Sequence, residues 1–309
     1  MKRRTSRTLG VVAGAVLTAA PAAAPAWAQA PADPNPAIRT QATTADAQQK
    51  VLQYWTRERM QQATPMDHML QPAKSAVPRQ RRAFPTTGSP WTAGGVVART
   101  TGRVFFTYQG RDASCSASAV AGANRSTVVT AGHCVKLGGA WHTNWVFVPG
   151  YNNGNRPYGT WTARQTLATG EWAATEDLNH DVGAAVVNPL NGRRLVDVVG
   201  GQGIAFNQPR RRNMYAFGYP AQDPYTGGRL IHCSGGTFDD FLRTRSIGMR
   251  CNMIGGASGG PWLTNFSESS GTGVINSVTS FRYESLPGYL FGTYFGGSER
   301  ALYYRAQRA

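Results

Sequence analysis

The sequence predicts an all-β chain. Three observations carry this: short runs rich in Val, Thr and aromatic residues, 36 Gly and 18 Pro spread along the chain to turn it, and few stretches with a 3.6-residue apolar period. With 41% hydrophobic residues, 309 positions can bury a full core, as one large or two ordinary domains.

The first residues depart from that pattern and read as a targeting segment. Lys2, Arg3, Arg4 and Arg7 form a basic start, 9–20 is apolar, and Ala26-Trp27-Ala28 puts small residues where a signal peptidase reads. A signal peptide over 1–28 and a secreted product follow. Ala28-Gln29-Ala30 is a second candidate, but Pro31 would then follow the cut. The apolar stretch is too short to span a bilayer comfortably, so no stable membrane association is expected. Arg3-Arg4 suits the twin-arginine route, yet Ser6 and Arg7 stand where that signal wants apolar residues, which favours general secretion.

Residues 29–90 form a propeptide or N-terminal extension. Pro, Ala, Gln and Thr dominate 29–49, a composition for a solvated, poorly ordered segment. Over 48–60, Val51, Leu52, Trp55, Arg59 and Met60 fall near one side of a short amphipathic helix. Arg79-Gln80-Arg81-Arg82 then offers a basic processing site in a Pro-containing stretch.

From Val96 onward, within a domain over 91–309, the pattern is β. VVART, RVFFTY, SASAV and STVVTA are followed by WVFVPG, VGAAVV, NMYAFGY, GVINSVTS and YLFGTYF, each cut off by Gly, Asn or Asp. Such spacing predicts an all-β sandwich or barrel. The closing LYYRAQRA reads as a helical tail.

Charge does not decide the function. Half of the net +16 lies in residues 1–82, where 12 Lys and Arg face 4 Asp and Glu. The rest forms no run long enough for a nucleic-acid footprint, and Arg210-Arg211-Arg212 reads as a solvated loop. Four cysteines, an even number in an exported chain, favour disulfides, for which three connectivities exist. No Cys-x-x-Cys is present, which argues against a zinc ribbon or a thioredoxin-like site, and neither metal nor cofactor is expected.

Three motifs carry chemistry, in the order His, Asp, Ser: Thr130-Ala131-Gly132-His133-Cys134, His180-Asp181-Val182-Gly183 and Gly255-Gly256-Ala257-Ser258-Gly259-Gly260-Pro261. Cleaving a peptide bond needs a nucleophile, a base for its proton, and a buried carboxylate to fix the tautomer of the base. Glycines around Ser258 let the Gly256 and Ser258 amides converge on one oxyanion. Asp177 is the rival to Asp181. His68, His142, His180 and His232 share no metal-ligand pattern and read as surface or structural residues. Gly256-Ala257-Ser258-Gly259-Gly260 also fits the G-x-S-x-G elbow of α/β-hydrolases, but there the acid and the His follow the Ser. Neither His nor Asp follows Ser258. An intact set of motifs likewise argues against a catalytically silent binding module.

TAGHC, an Asp ahead of an apolar strand, and GxSGGP together resemble the chymotrypsin-like serine peptidases, in the bacterial secreted branch near the glutamyl endopeptidases. Gly218-Tyr219-Pro220 resembles that branch too, and the similarity covers about 95–309. The resemblance implies two six-stranded antiparallel β-barrels with the active site between them and a C-terminal helical tail. It implies a secreted serine endopeptidase, made as a precursor, monomeric, and with polypeptide substrates and its own propeptide as partners. His133, Asp181 and Ser258 would be the triad, with the Gly256 and Ser258 amides as oxyanion hole. Cys134, beside His133, would pair with Cys115, and Cys233 with Cys251.

The chain also departs from the family. Ala257 stands where mammalian-type members carry an Asp that receives a freed N-terminus, and no IVGG-like start is present, so removal of a covering propeptide is the expected activation. Asn252 aligns with the floor of the specificity pocket, and neither Gly255 nor Ile275 nearby adds charge. Glutamyl endopeptidases carry a pocket His after the nucleophile, which this chain lacks. Cleavage after uncharged side chains is therefore expected, with Arg282 the group that would restore a preference for acidic ones.

Overall fold

A computed structural model describes residues 35–69 and 88–309. The signal segment at 1–28 and the basic run at 79–82 lie outside the described residues.

The N-terminal segment contributes strands β1 (Ala37–Thr40) and β2 (Thr64–Pro65), and β3 (Ser89–Pro90) begins the following part. Six longer strands come next: β4 (Thr101–Tyr108), β5 (Arg111–Ala119), β6 (Thr127–Thr130), β7 (Thr143–Pro149), β8 (Trp161–Ala168) and β9 (Gly183–Val187). Gln109 and Gly110, both at positive φ, make the two-residue turn between β4 and β5 that matches the strand twist. The six pair antiparallel in the order β4-β5-β6-β9-β8-β7, and β7 returns to β4. That ring is a closed barrel, with each of its six strands paired to a neighbour on both sides. Val104, Phe106, Ala117, Val128, Phe147 and Trp161 fill it, all at most 1% exposed.

A second set follows: β10 (Asn213–Gly218), β11 (Ile231–Gly236), β12 (Ile247–Arg250), β13 (Pro261–Ser267), β14 (Thr272–Phe281) and β15 (Tyr289–Tyr294). They pair antiparallel as β12-β15-β14-β13-β10-β11. This second half is six-stranded and antiparallel, as expected, but it is joined differently from the first. Among the described residues no ladder joins β11 to β12, and β3 pairs with the start of β11, Ser89 and Pro90 opposite His232 and Ile231. A disulfide bridges the seam instead, from Cys233 in β11 to Cys251 just after β12. The other disulfide joins Cys115 to Cys134 inside the first barrel. Both pairings are those the resemblance implied.

Residues 35–69 are more ordered than their composition suggests. β1 pairs antiparallel with β8, from Ala37 opposite Ala168 to Thr40 opposite Gln165. Composition cannot register this, because the order comes from a strand edge far away in sequence. The single helix expected over 48–60 is two, Ala45–Tyr54 and Arg57–Gln62. Trp55 closes the first and Thr56 starts the second, its hydroxyl accepting from the Arg59 amide at 3.3 Å. Trp55, at the break, is buried and donates its indole N–H to the Asn144 carbonyl at 2.6 Å. Trp55, Met60 and Met66 are at most 1% exposed, each burial worth roughly 2 kcal/mol. Leu52, expected on the same side, is instead 37% exposed. At the other end, helix Gly297–Ala306 lays Leu302 and Ala306 into the same cluster as Val129 and Val186.

Candidate active site

The candidate base, His133, and the carboxylate beside it, Asp181, come from the closed barrel. β6 ends at Thr130 and runs into a one-turn helix, Gly132–Cys134, which carries His133. Gly132 is required there, since an added Cβ would stand 2.6 Å from the Trp172 ring. Asp181 follows the turn Leu178–His180 and leads into β9. Because β9 pairs with β6, Gly183 opposite Thr130, the two loops open at the same end of the barrel.

Asp181 is fully buried and holds His133 twice: Oδ1 accepts from the His133 amide and Oδ2 pairs with Nδ1, both at 2.8 Å. The Ser280 hydroxyl donates to the same Oδ2 at 2.5 Å. Burial pushes the Asp181 carboxyl up, but the His133 charge and these hydrogen bonds outweigh it, so the group titrates below its ordinary value. An ionised Asp181 accepts, which places the proton of His133 on Nδ1. Burial opposes charge on His133; the Asp181 charge and hydrogen bond, with a smaller part from Asp67, overcome it and hold the imidazole above its ordinary value. Asp177 does not join this pair, because its carboxylate caps the turn, accepting from the Asn179 amide at 2.9 Å.

Ser258 lies on the loop between β12 and β13. Gly256 has φ +97° and Gly259 φ +78°, and a Cβ on Gly259 would stand 2.1 Å from the Thr130 hydroxyl. Only glycine lets this loop turn so close to the first barrel. Ser116 of β5 ties the halves together. Its amide donates to the Ser258 carbonyl at 2.7 Å, and its hydroxyl donates to the Gly256 carbonyl at 2.8 Å. The Tyr219 amide, in the Gly-Tyr-Pro motif, donates to that same hydroxyl at 2.8 Å.

Sequence reasoning missed what meets these groups. Asp67, from the N-terminal segment, accepts from the Ser258 hydroxyl through Oδ1 and from the Gly256 amide through Oδ2, the latter at 2.7 Å. The same Oδ1 is 3.8 Å from His133 Nε2, a buried atom with no hydrogen-bond partner among the described residues. No local pattern could flag Asp67, since its partners lie 189 and 191 positions away.

Beside Ser258 opens a cavity of about 180 Å³, lined by Asp67, Met253, Ile254, Gly255, Ala257, Thr279, Ser280, Phe281, Arg282 and Leu290. Of the three pocket residues expected, Gly255 is in this wall. Asn252 is not: its side-chain oxygen is engaged at 2.7 Å by both the Gly88 amide and the Tyr225 hydroxyl. Ile275 lies buried within β14, opposite Leu263.

The other histidines have local tasks. His142, fully buried and stacked on Phe106 at 4.3 Å, has Nε2 at 2.9 Å from the His133 carbonyl. Burial pushes its pKa down to about 4, against the weaker pull of that hydrogen bond, so the neutral ring donates. His180 meets Glu299 at 2.9 Å, and His232 meets the Ser89 carbonyl at 3.0 Å. The side chain of His68 lies outside those described. Cys115, Cys134 and His133 bring possible ligand atoms together, but the two sulfurs are joined and offer no thiolate to a metal.

No family model matches the chain. A stretch of 73 residues is 36% identical to an extracellular metalloprotease of Bacillus subtilis (strain 168), and the chain spans 23% of that curated relative's length. Among solved structures it is similar to protease Anisep from Arthrobacter nicotinovorans, at 42% identity and a TM-score of 0.65, over 68% of this chain and 96% of that one. A thermostable serine protease, AL20, from an extremophilic microorganism is 39% identical with a TM-score of 0.65, over 69% of this chain and 99% of that one. A Glu endopeptidase shares the fold at 16% identity, with a TM-score of 0.58 over 73% of this chain and 99% of that one.

Proposed function

This chain belongs to the chymotrypsin-like serine proteases and is a serine endopeptidase; within that identity we propose that Ser258 is the nucleophile, His133 the base and Asp181 its orienting carboxylate. The observation that supports this is the convergence of three groups on one point. A single carboxylate touches the Ser258 hydroxyl and the Gly256 amide and stands 3.8 Å from His133 Nε2. A substrate carbonyl put there would meet nucleophile, base and oxyanion donor at once.

In this reading His133 Nε2 takes the Ser258 proton as the oxygen attacks the scissile carbonyl. The amides of Gly256 and Ser258 hold the oxyanion, and the same proton then goes to the leaving amine. Water, activated by His133, hydrolyses the acyl-enzyme and restores Ser258. Asp181 keeps the Nδ1–H tautomer and stabilises the imidazolium throughout.

Met253, Ile254, Phe281 and Leu290 make much of the cavity wall apolar. A desolvated Lys or Arg there would need a carboxylate, and Asp67 belongs to the N-terminal segment. Cleavage after uncharged, apolar or small residues follows. Chromogenic peptides differing only at that residue test it: fast release after apolar residues is expected, and a strong preference for Arg or Lys would overturn it. A strong preference for Glu would overturn it too, and point to Arg282.

The protein is secreted as a precursor in this reading. Two disulfides suit an oxidising compartment, and no helix among the described residues is long and apolar enough to cross a membrane. The mature chain begins between Ala83 and Val97 in this reading, and the bonds made from Gly88 onward favour the early part of that range. The Gly88 amide bonds Asn252, the Trp91 amide bonds the Leu230 carbonyl, and the Val96 amide bonds that of Ser270.

A further inference from the structure

We infer that the Ser258 hydroxyl and the Gly256 amide form a carboxylate-binding site whose ligand is the Asp67 side chain, making residues 35–69 an inhibitor that remains seated after the chain is cut between Met69 and Gly88. The inference rests on the catalytic reading of Ser258 and His133 given above.

The contact disables each part of the machinery. Ser258 gives its hydrogen bond to Asp67, so its proton points away from His133. The Gly256 amide, needed for the oxyanion, is spent on the other carboxylate oxygen. His133 Nε2 is left buried and without a hydrogen-bond partner among the described residues. A carboxylate is also chemically inert here. Attack on its carbon would place a second negative oxygen beside the first, and the only group to expel would be oxide. A peptide carbonyl in the same seat would be cleaved; this ligand is not.

The seat does not depend on the connection to Gly88. Thr64 and Pro65 lie parallel to Ala113 and Ser114 of β5, fixing the two residues that lead to Met66 and Asp67. Met66 is fully buried in the first barrel's core. Farther back, β1 is paired with β8, the Gln41 side chain donates to the His142 carbonyl at 2.9 Å, and that of Asn188 donates to the Ala42 carbonyl at 2.8 Å. None of these contacts lies beyond Asp67. Cutting the connection alone therefore leaves Asp67 in place, and activity waits on departure or digestion of 35–69.

The test uses full-length precursor with processing blocked by replacing Arg79, Arg81 and Arg82 with Ala, alone and with Asp67→Ala or Asp67→Asn. The readout is the rate at which a small serine-phosphonylating reagent labels Ser258. The uncut parent should label slowly, and Asp67→Ala on the order of 10- to 100-fold faster with no cut made, as expected for loss of two hydrogen bonds to a charged group. Parent protein nicked at the connection should still label slowly while 35–69 co-elutes with the barrels on gel filtration. If Asp67→Ala and Asp67→Asn label no faster than the parent while protein freed of 35–69 labels quickly, the inhibitor assignment falls and the catalytic reading stands. Immediate release of 35–69 on nicking would overturn the claim that it stays seated. If even the freed, folded protein fails to label, the reading of Ser258 fails, and this inference with it.

Discussion

The two β halves of the molecule solve closure differently. The first is sealed by main-chain ladders all the way round, and it holds the charged pair His133–Asp181, buried to within 2% exposure. The second leaves β11 and β12 unpaired with each other and closes the seam with Cys233–Cys251, seven residues before Ser258. An ion pair taken out of water tolerates little displacement, because its geometry must offset desolvation. A ring of hydrogen bonds gives that rigidity. Ser258 instead depends on a glycine loop, on Ser116 reaching across from the other half, and on one covalent staple.

The sharpest test of this division treats the halves as one machine. In protein freed of 35–69, Ser258→Ala and His133→Ala should each lower kcat by on the order of 10⁶-fold, and the double variant should lose no more than either. Additive losses on amide hydrolysis would mean that the halves act independently.

Next comes the closed half alone. His133 must be neutral to accept a proton, so activity should rise with pH through its pKa. That value is raised against the pull of burial, with Asp181 the main cause favouring the charged ring, so the acid limb of kcat/KM should lie above the ordinary histidine range. Asp181→Asn removes the charge that raises it, moving the limb to lower pH and cutting the plateau by roughly 10⁴-fold. An unmoved limb would assign the titration to another group.

The disulfides then compare the halves directly. They close loops of 19 and 18 residues, so chain entropy predicts about 3 kcal/mol from each. Replacing Cys233 and Cys251 by Ser should cost more than replacing Cys115 and Cys134, because only the former pair spans a seam without a ladder. Denaturant unfolding measures both, and equal losses would show that the seam needs no staple.

The smallest expected effect is at His142. His142→Phe keeps a ring against Phe106 but leaves the buried His133 carbonyl without that donor, costing about 1–3 kcal/mol of stability. kcat should fall by about tenfold or less, equivalent to about 1.4 kcal/mol of barrier, with KM unchanged. A change in KM alone would move His142's role from the base to substrate binding.

The sequence made the local parts of this site legible and left the long-range ones hidden. His133 and Ser258 stand out as candidates because TAGHC and GASGGP pack a potentially reactive residue, its turn and its glycines into a few positions. Asp181 needed only its place ahead of an apolar strand. Ile275 was expected near the pocket, but it is four residues before Thr279 on the same strand, about 13 Å along it, and faces the core instead. Asn252 was expected at the pocket floor, but it is absent from the cavity wall and its oxygen is taken by Gly88 and Tyr225, partners that no spacing rule links to it. The segment 29–49 looked solvated because Pro, Ala, Gln and Thr dominate it, and the order of its described part comes from the edge of β8 and a cap at Thr44. Asp67 was hidden most completely, being one acidic residue among ordinary neighbours whose partners lie at the other end of the chain.

The central claim is that Ser258, lent by the open half, is activated by His133 from the closed half. Phosphonylation of protein freed of 35–69, followed by digestion and mass mapping, tests it most directly. A single adduct on Ser258, formed in step with loss of peptidase activity and absent from His133→Ala over the same time, is the predicted result. An adduct elsewhere, or full peptidase activity in protein whose Ser258 is quantitatively labelled, would contradict it.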